Sequence, residues 1–204
     1  MTERQSRHVH TSITLRDIEK LKEPRQTYLD ILLFDEEEVK KHIEHSEPVA
    51  KVTFTRLEPK HKVYRPGSNE TLFSSEEFAE YTEVVKYLYD LKSIGRAMCL
   101  GVGRYAHNHF RPLLGREKEE MDPYVSREHG LIFLNEKGNV CYHDIGTFKK
   151  GSTNGTKLND ASIIQDEILT WNEKDYFGLG ETLTILKQGE PTIESKFKIR
   201  HQRS

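Results

Sequence analysis

Three short segments of the chain collect the kinds of side chain that bind an anion. The first is Gly103-Arg104, the second runs from Ser126 to His129 as Ser-Arg-Glu-His, and the third is the turn Gly-Ser-Thr-Asn-Gly-Thr at residues 151–156. Arginine carries a permanent forked charge, hydroxyl groups donate hydrogen bonds, and glycine-rich loops present backbone N–H groups to an anion. Each segment lies at the end of a predicted strand, so an antiparallel sandwich would bring all three to one rim. The spacing therefore predicts an anion-binding site in loops.

Residues 93–190 have the pattern of an all-β fold. Short apolar segments alternate with turn residues, and no helical stretch separates them, which is typical of an antiparallel β-sandwich or barrel. The segment Asn135-Glu-Lys-Gly138 predicts a hairpin turn between two of these strands. We expect this region to be the domain that carries the three anion-binding segments.

Residues 28–92 predict an extension of mixed structure before that domain. A capping-box spacing predicts a short helix at residues 36–45, and alternation of apolar and polar residues predicts a strand at residues 49–57. That strand could belong to the sandwich. A capping serine, an acidic first turn and apolar residues at helical spacing predict a helix at residues 75–92.

The two ends of the chain are expected to be tails. Residues 1–27 are rich in charge, poor in apolar residues and without sustained periodicity, which favours a mostly flexible segment. Residues 191–204 are expected to form a C-terminal tail.

The composition favours an intracellular protein, in the nucleus or the cytoplasm, that is neither secreted nor membrane-bound. The 204 residues include 31 basic and 33 acidic ones, so the whole molecule has no strong attraction to nucleic acid or to an anionic membrane. No apolar run approaches the roughly 18 residues that a membrane span needs. Cys99 and Cys141 show no metal-ligand spacing, and no apolar signal segment precedes the domain.

The ordered set of motifs closely resembles the forkhead-associated (FHA) domain, a β-sandwich whose rim loops bind phosphothreonine in partner proteins. The family pattern appears as Gly103-Arg104, as Ser126 with His129, and as Asn154 followed by Gly155. The resemblance covers about residues 96–186 and could include the strand at 49–57. It implies an FHA-type antiparallel β-sandwich with a helical N-terminal extension or insertion.

The resemblance also implies a role for each motif residue. Arg104 and Ser126 would contact the phosphate, with Arg127 as a supplement. Thr153 would shape the pocket for the phosphothreonine methyl group, and Asn154 would hydrogen-bond the peptide backbone. Structural support of the loops would come from His129, Gly103 and Gly155.

Two features of the loops leave alternatives open. A second Gly-Arg pair at residues 115–116 makes Arg116 an alternative phosphate ligand. Lys149 and Lys150 precede the Gly-Ser-Thr-Asn turn and form either a selectivity lip beside the peptide or a solvated loop pair.

The predicted function is a phosphothreonine-binding adaptor without catalysis, cofactor or metal. The first alternative is a phosphate-independent interaction scaffold of the same fold. A hydrolase using His129, or the pair His107 and His109, is disfavoured because no nucleophile, base and orienting acid stand at interpretable spacing. The two paired histidines also lack a third ligand at a useful spacing for a metal.

The expected partner is a phosphothreonine-containing protein, with no membrane or direct nucleic-acid partner. Thr14 and Thr27 each precede an aspartate by three residues, a spacing that resembles one class of FHA ligand. Phosphorylation there predicts self-association, in which one molecule's tail fills the site of another.

Overall fold

A computed structural model of the chain describes residues 12–14, 37–59, 62–64, 71–74, 78–114, 120–148, 150–187 and 190–204. These residues form thirteen β-strands, one α-helix and one turn of 3₁₀-helix at Lys92–Ile94. The helix α1 is Glu37–Glu44, and the strands are β1 (Ser12–Thr14), β2 (Ala50–Pro59), β3 (Lys62–Tyr64), β4 (Thr71–Ser74), β5 (Phe78–Leu88), β6 (Arg96–Val102), β7 (Gly130–Leu134), β8 (Val140–Asp144), β9 (Thr156–Leu158), β10 (Ser162–Ile164), β11 (Ile168–Thr170), β12 (Phe177–Lys187) and β13 (Glu190–Arg203).

The strands form two sheets. The five-stranded sheet has the order β1-β6-β7-β8-β11, and the eight-stranded sheet has the order β10-β9-β12-β13-β2-β5, with β4 and β3 attached beside β12. All pairings are antiparallel except the contact of β12 with β4. The predicted all-β sandwich with a short N-terminal helix is confirmed.

Aromatic side chains fill the core between the two sheets. Phe54 of β2 stacks on Phe197 of β13, with ring centroids 5.4 Å apart. Tyr142 of β8 stacks on Phe177 of β12 at 4.2 Å, which joins the two sheets directly. Such rings bury large apolar areas, so they supply much of the driving force for packing one sheet on the other.

The helix and the strand predicted at residues 36–45 and 49–57 are confirmed. Helix α1 has glutamates in its first turn and basic residues in its last, as the helix dipole favours, and Val39 anchors it in the core. Strand β2 lies between β13 and β5 inside the eight-stranded sheet. The part of the chain expected to be an extension is therefore built into the sandwich. The predicted hairpin turn is also confirmed, since Gly138 N–H donates to the Asn135 carbonyl at 2.9 Å.

The helix predicted at residues 75–92 is wrong, because residues 78–88 form β5. A bulge at Glu83 shifts the register of β5 against β2 by one residue. Tyr81, Val84 and Leu88 consequently share the inward face although they are three and four residues apart. This spacing imitates the period of a helix, while the bulge hides the alternation of a strand.

The predicted tails are also partly wrong. Residues 190–203 form β13, which pairs with β12 on one side and β2 on the other, and buries Phe197 and Ile199. Within the predicted N-terminal tail, residues 12–14 form β1, and Thr14 pairs with Arg96 of β6. Thr27 lies outside the described residues.

Across the described ranges, no helix combines the length and the apolar character that crossing a bilayer demands.

Adjacent residues of β5 provide a test of which side of the strand is assigned to the core. Leu88 is fully buried, whereas Tyr87 is 43% exposed. We expect Leu88→Ala to lower the free energy of unfolding by about 2–5 kcal/mol, because it leaves a cavity in the core. Tyr87→Ala should cost less than about 1 kcal/mol. Urea denaturation of both variants measures the difference, and equal losses would contradict the assignment.

Candidate functional site

Two loops meet at one rim of the sandwich, and the predicted anion-binding residues lie on them. The backbone N–H of Arg104 donates to the Ser126 carbonyl at 3.1 Å within the β6–β7 connection. From the β8–β9 loop, Thr153 N–H donates to Ser126 Oγ at 3.1 Å, and Asn154 Nδ2 donates to the Tyr124 carbonyl at 2.8 Å. These bonds tie the loops together, so the rim is one structural unit. We call residues 103–105, 124–129 and 151–155 the rim.

Arg104 has an unusual environment in the rim. Its side chain is half-buried, and its Nε is buried without a hydrogen-bond partner among the described residues. A buried N–H group that lacks an acceptor costs roughly 1–3 kcal/mol, more when the group is charged. An anion bound here would supply the missing acceptor.

Gly103 lets the two halves of the β6–β7 connection approach closely. Its φ is +153°, and a Cβ at this position would clash with the Arg127 carbonyl and with Asn108. That carbonyl is occupied by two donors, the Tyr105 N–H at 3.0 Å and Asn108 Nδ2 at 2.9 Å. Gly103 therefore determines the position of the backbone at Arg104. On the other loop, Gly155 has φ +70°, and a Cβ there would clash with Ile163.

A buried polar layer supports the rim from below. The Thr156 hydroxyl donates to Asp144 Oδ2 at 2.6 Å and is 2.9 Å from the Tyr142 hydroxyl and 3.1 Å from His129 Nε2. Ser152 donates to the same carboxylate through both its N–H and its hydroxyl. The layer joins the residue before β7, the strands β8 and β9 and the β8–β9 loop in one network, which holds the loop in a single position.

His129 is held in one neutral form by its partners. Its Nδ1 accepts the Ser126 N–H at 3.1 Å, since a backbone amide only donates, and so its Nε2 carries the hydrogen and donates to Thr156. Burial lowers the pKa of His129 to about 4, and the neighbouring Asp144 carboxylate opposes this shift only in part. Protonation of Nδ1 would make it a donor, and it would then face the Ser126 N–H, which is also a donor. The histidine thus braces the Ser126 loop only while it is neutral.

The remaining predicted residues lie further out or beyond the described part. Thr153 and Asn154 are exposed, and Arg127 is exposed with its guanidinium 5.9 Å from the centroid of the Tyr105 ring. Lys150 is exposed at the start of the β8–β9 turn. Arg116 and Lys149 lie outside the described residues.

Sequence reasoning missed the support layer. Asp144, Ser152, Thr156 and Tyr142 were assigned no role, although all four are buried. One signal was a carboxylate at the end of an apolar strand, since a carboxylate that enters the core must be satisfied by nearby donors.

His109 has a structural contact near the end of β6. His109 Nδ1 accepts the Gly101 N–H at 3.0 Å, so it braces the start of the β6–β7 connection. Among the residues with described positions, no group of three histidine, cysteine or acidic side chains is arranged to hold a metal ion.

Residues 92–180 match the family model of the FHA domain. The chain contains an FHA domain. All rim residues lie inside this range, whereas β2, β5 and β13, which complete the eight-stranded sheet of the domain, lie outside it.

The chain is also similar to several solved structures. One is an engineered FHA with a Myc-pTBD peptide, which is 18% identical, covers 77% of this chain and 92% of its own, and has a TM-score of 0.38. Another is the N-terminal FHA domain of Rad53p from S. cerevisiae in complex with a phosphothreonine peptide (16% identity, 76% and 94% coverage, TM-score 0.39). A third is full-length yeast Pml1p (15% identity, 76% and 83% coverage, TM-score 0.38). Among curated proteins, none matches the chain.

The buried His129 predicts how the stability of this FHA domain depends on pH. Its folded pKa of about 4 lies below the usual 6.5. The stability that neutral His129 gives to the fold is therefore fully present above pH 6.5 and is lost as the pH falls towards 4. We expect it to account for a loss of about 2 kcal/mol in unfolding free energy between pH 7.5 and pH 5. Urea denaturation at both values measures this loss.

The control is His129→Asn, whose side-chain oxygen can still accept the Ser126 N–H but does not titrate. Burial also lowers the pKa of His107 and of His201, and the comparison of wild type with the variant removes their contribution. If the variant proves too unstable, an NMR titration of His129 in the wild type decides directly. A midpoint near 6.5 would contradict the burial argument.

Proposed function

We propose that this chain is a phosphothreonine-binding adaptor that recognises its ligand at the rim of the FHA domain. The observation that carries the proposal is the Nε of Arg104, which is buried and has no hydrogen-bond partner among the described residues. Arg104 lies where the two cross-linked loops meet, with its backbone N–H bonded to the Ser126 carbonyl. A charged donor that lacks an acceptor in a prepared loop junction favours an anionic ligand.

A phosphate group suits the donors at the rim. It brings a charge of about −1.5 to −2 and three acceptor oxygens, which match a forked guanidinium together with hydroxyl donors. The Ser126 oxygen accepts the Thr153 N–H, so its own hydrogen is left to donate to the ligand. Arg127 is exposed on the same loop and would strengthen the local positive charge.

Asn154 would contact the peptide through its oxygen. Its Nδ2 donates to the Tyr124 carbonyl, while its Oδ1 makes no hydrogen bond within the described part of the chain. That oxygen can accept a backbone N–H from an extended peptide. The same side chain would therefore join the two loops and orient the ligand, with exposed Thr153 next to it positioned to receive the threonine methyl group.

The rim binds rather than catalyses in this proposal. His129 is fully buried, and both of its ring nitrogens are occupied within the protein, so it cannot reach a substrate. A peptide that contacts only these loops should bind with micromolar affinity, about −8 kcal/mol. Such affinity suits a reversible adaptor.

Substitutions at Arg104 and Ser126 test the proposal. We expect the wild type to bind members of an oriented phosphothreonine peptide library at micromolar concentration and to bind the phosphoserine and unmodified libraries much more weakly. Arg104→Ala should reduce affinity by about 10- to 100-fold, because it removes charge-assisted bonds to the phosphate. Ser126→Ala should give a smaller loss. Titration calorimetry measures both.

The matched control is Arg200→Ala, because Arg200 lies on β13 in the other sheet and pairs there with Glu80. It should leave affinity unchanged. Loss of binding with Arg116→Ala but not with Arg104→Ala would move the phosphate ligand to Arg116. Equal binding of phosphorylated and unmodified peptides would instead support the phosphate-independent scaffold.

Self-association through phosphorylated Thr14 or Thr27 stays a prediction. Thr14 lies in β1, so a tail phosphorylated there would have to leave the sheet before it could enter the rim of another molecule. Comparison of the molar mass of the phosphorylated and unphosphorylated chain in solution would detect the resulting dimer.

A further inference from the structure

Residues 145–148 leave the end of β8 and are fixed against the rim before the chain enters the Gly-Ser-Thr-Asn turn. The Gly146 N–H donates to the His129 carbonyl at 3.1 Å, and the Glu128 N–H donates to Thr147 Oγ1 at 3.3 Å. The Gly151 N–H then donates to the Ile145 carbonyl at 3.1 Å, which closes the loop. Because residues 128 and 129 belong to the rim, residues 145–148 have a defined position beside it.

Phe148 follows directly after these contacts, and its ring is in water. It is 84% exposed, the largest exposed fraction of any large apolar side chain among the described residues. A ring that stays in water contributes no burial to the stability of the fold. A single exposed apolar residue is common on protein surfaces, so the meaning of Phe148 depends on what lies around it.

Other exposed apolar side chains lie on or beside the rim. Tyr105 and Tyr124 are exposed rim residues, and Ile163 is exposed next to the rim, since it would clash with a Cβ at Gly155. With Phe148, they make up four of the eight large apolar side chains that are exposed in the described part of the chain. Aromatic residues are enriched where proteins bind one another. The rim therefore combines its anion-binding donors with an apolar border.

Phe148 lies within reach of a peptide whose phosphate contacts Ser126. The path from Phe148 through Thr147 and Glu128 to Ser126 crosses one side-chain hydrogen bond and three Cα–Cα steps, so the two Cα atoms are at most about 19 Å apart. An extended peptide covers this distance with about six residues.

We propose that Phe148 is a specificity-determining residue that packs on an apolar side chain of the ligand, within about six residues of the phosphothreonine. The proposal rests on the proposed binding of a phosphothreonine peptide at the rim. The donors of the rim recognise a phosphate and a peptide backbone, and neither group distinguishes one flanking sequence from another. An apolar contact that continues the rim would supply this selectivity.

The position of Phe148 favours such a contact energetically. The hydrogen bonds of Gly146 and Thr147 already fix the chain in front of it, and a phenyl ring has only two side-chain torsions. Little conformational freedom would therefore be lost when the ring is covered by the ligand.

The test uses the full-length chain and a phosphothreonine peptide library randomised at six positions on each side of the phosphothreonine. We expect the wild type to select an apolar residue at one of these positions. Phe148→Ala should lose this selection and bind the selected peptide roughly 5- to 30-fold more weakly in titration calorimetry, because the contact area of the ring is lost. Phe148→Leu should keep the selection, since it keeps an apolar side chain.

The matched control is Tyr87→Ala, which also removes an exposed aromatic ring. Tyr87 lies on β5, four strand spacings or about 19 Å from β9, which follows the rim. This variant should leave both affinity and selection unchanged. Circular dichroism checks that each variant keeps the β-sheet spectrum of the wild type.

A second arm replaces the selected apolar residue of the peptide by alanine. The wild type should bind this peptide as weakly as Phe148→Ala binds the selected one, and combining the two changes should cause no further loss. Unchanged selection and affinity in Phe148→Ala would overturn the role of Phe148 and leave phosphothreonine binding intact. A wild type that binds phosphorylated and unmodified libraries equally would overturn the proposed function and this inference together.

Discussion

The structure depends on satisfying one buried carboxyl group inside a β-sandwich. Asp144 is fully buried, and an unsatisfied carboxylate in such a place would be strongly destabilising. Its donors come from Ser152, twice, and from Thr156, which lie beyond the end of β8. Because these donors must reach back to Asp144, the β8–β9 loop has to fold over the strand. The position of the loop is thus set by the buried carboxylate together with glycines of the loop, such as Gly151 and Gly155, whose φ angles are +80° and +70°.

The same network determines what the surface of the rim is able to do. Thr156 links Asp144 to His129, and His129 in turn holds the Ser126 N–H. Ser126 Oγ then accepts the Thr153 N–H, and this bond fixes the β8–β9 loop against the β6–β7 connection. Polar groups below the rim are occupied by one another, while Arg104 Nε above them is not. A rigid base with one unsatisfied cationic donor loses little conformational freedom on binding, which favours recognition of a ligand by a small contact area.

The sequence predicted the fold class and the residue types at the rim, because both follow from local patterns. Gly103, Arg104, Ser126 and Asn154 stand at strand ends, and strand ends of one sandwich meet. Strand β5 was missed because its bulge at Glu83 changes the spacing of inward residues. Strand β13 was missed although Phe197 and Ile199 alternate with basic residues, a pattern typical of a half-buried strand. The many charged residues of this segment favoured a tail instead. The role of Asp144 could not be predicted from the sequence. Its donors, Ser152 and Thr156, come close to it only when the β8–β9 loop folds over the strand.

The groups at the rim and the groups below it respond differently to pH. Arginine, serine and amide side chains do not titrate near neutrality, so a change in phosphopeptide affinity between pH 7 and pH 6 would come from the ligand, whose second pKa is about 6. His129 begins to weaken the fold in the same range but continues to do so towards pH 4, because its folded pKa is about 4. Binding would therefore weaken first through the charge of the phosphate and only later through loss of the brace under Ser126. The order follows from the position of the protein's titratable group, because His129 lies in the buried layer below the rim and not in the rim surface that would contact the ligand.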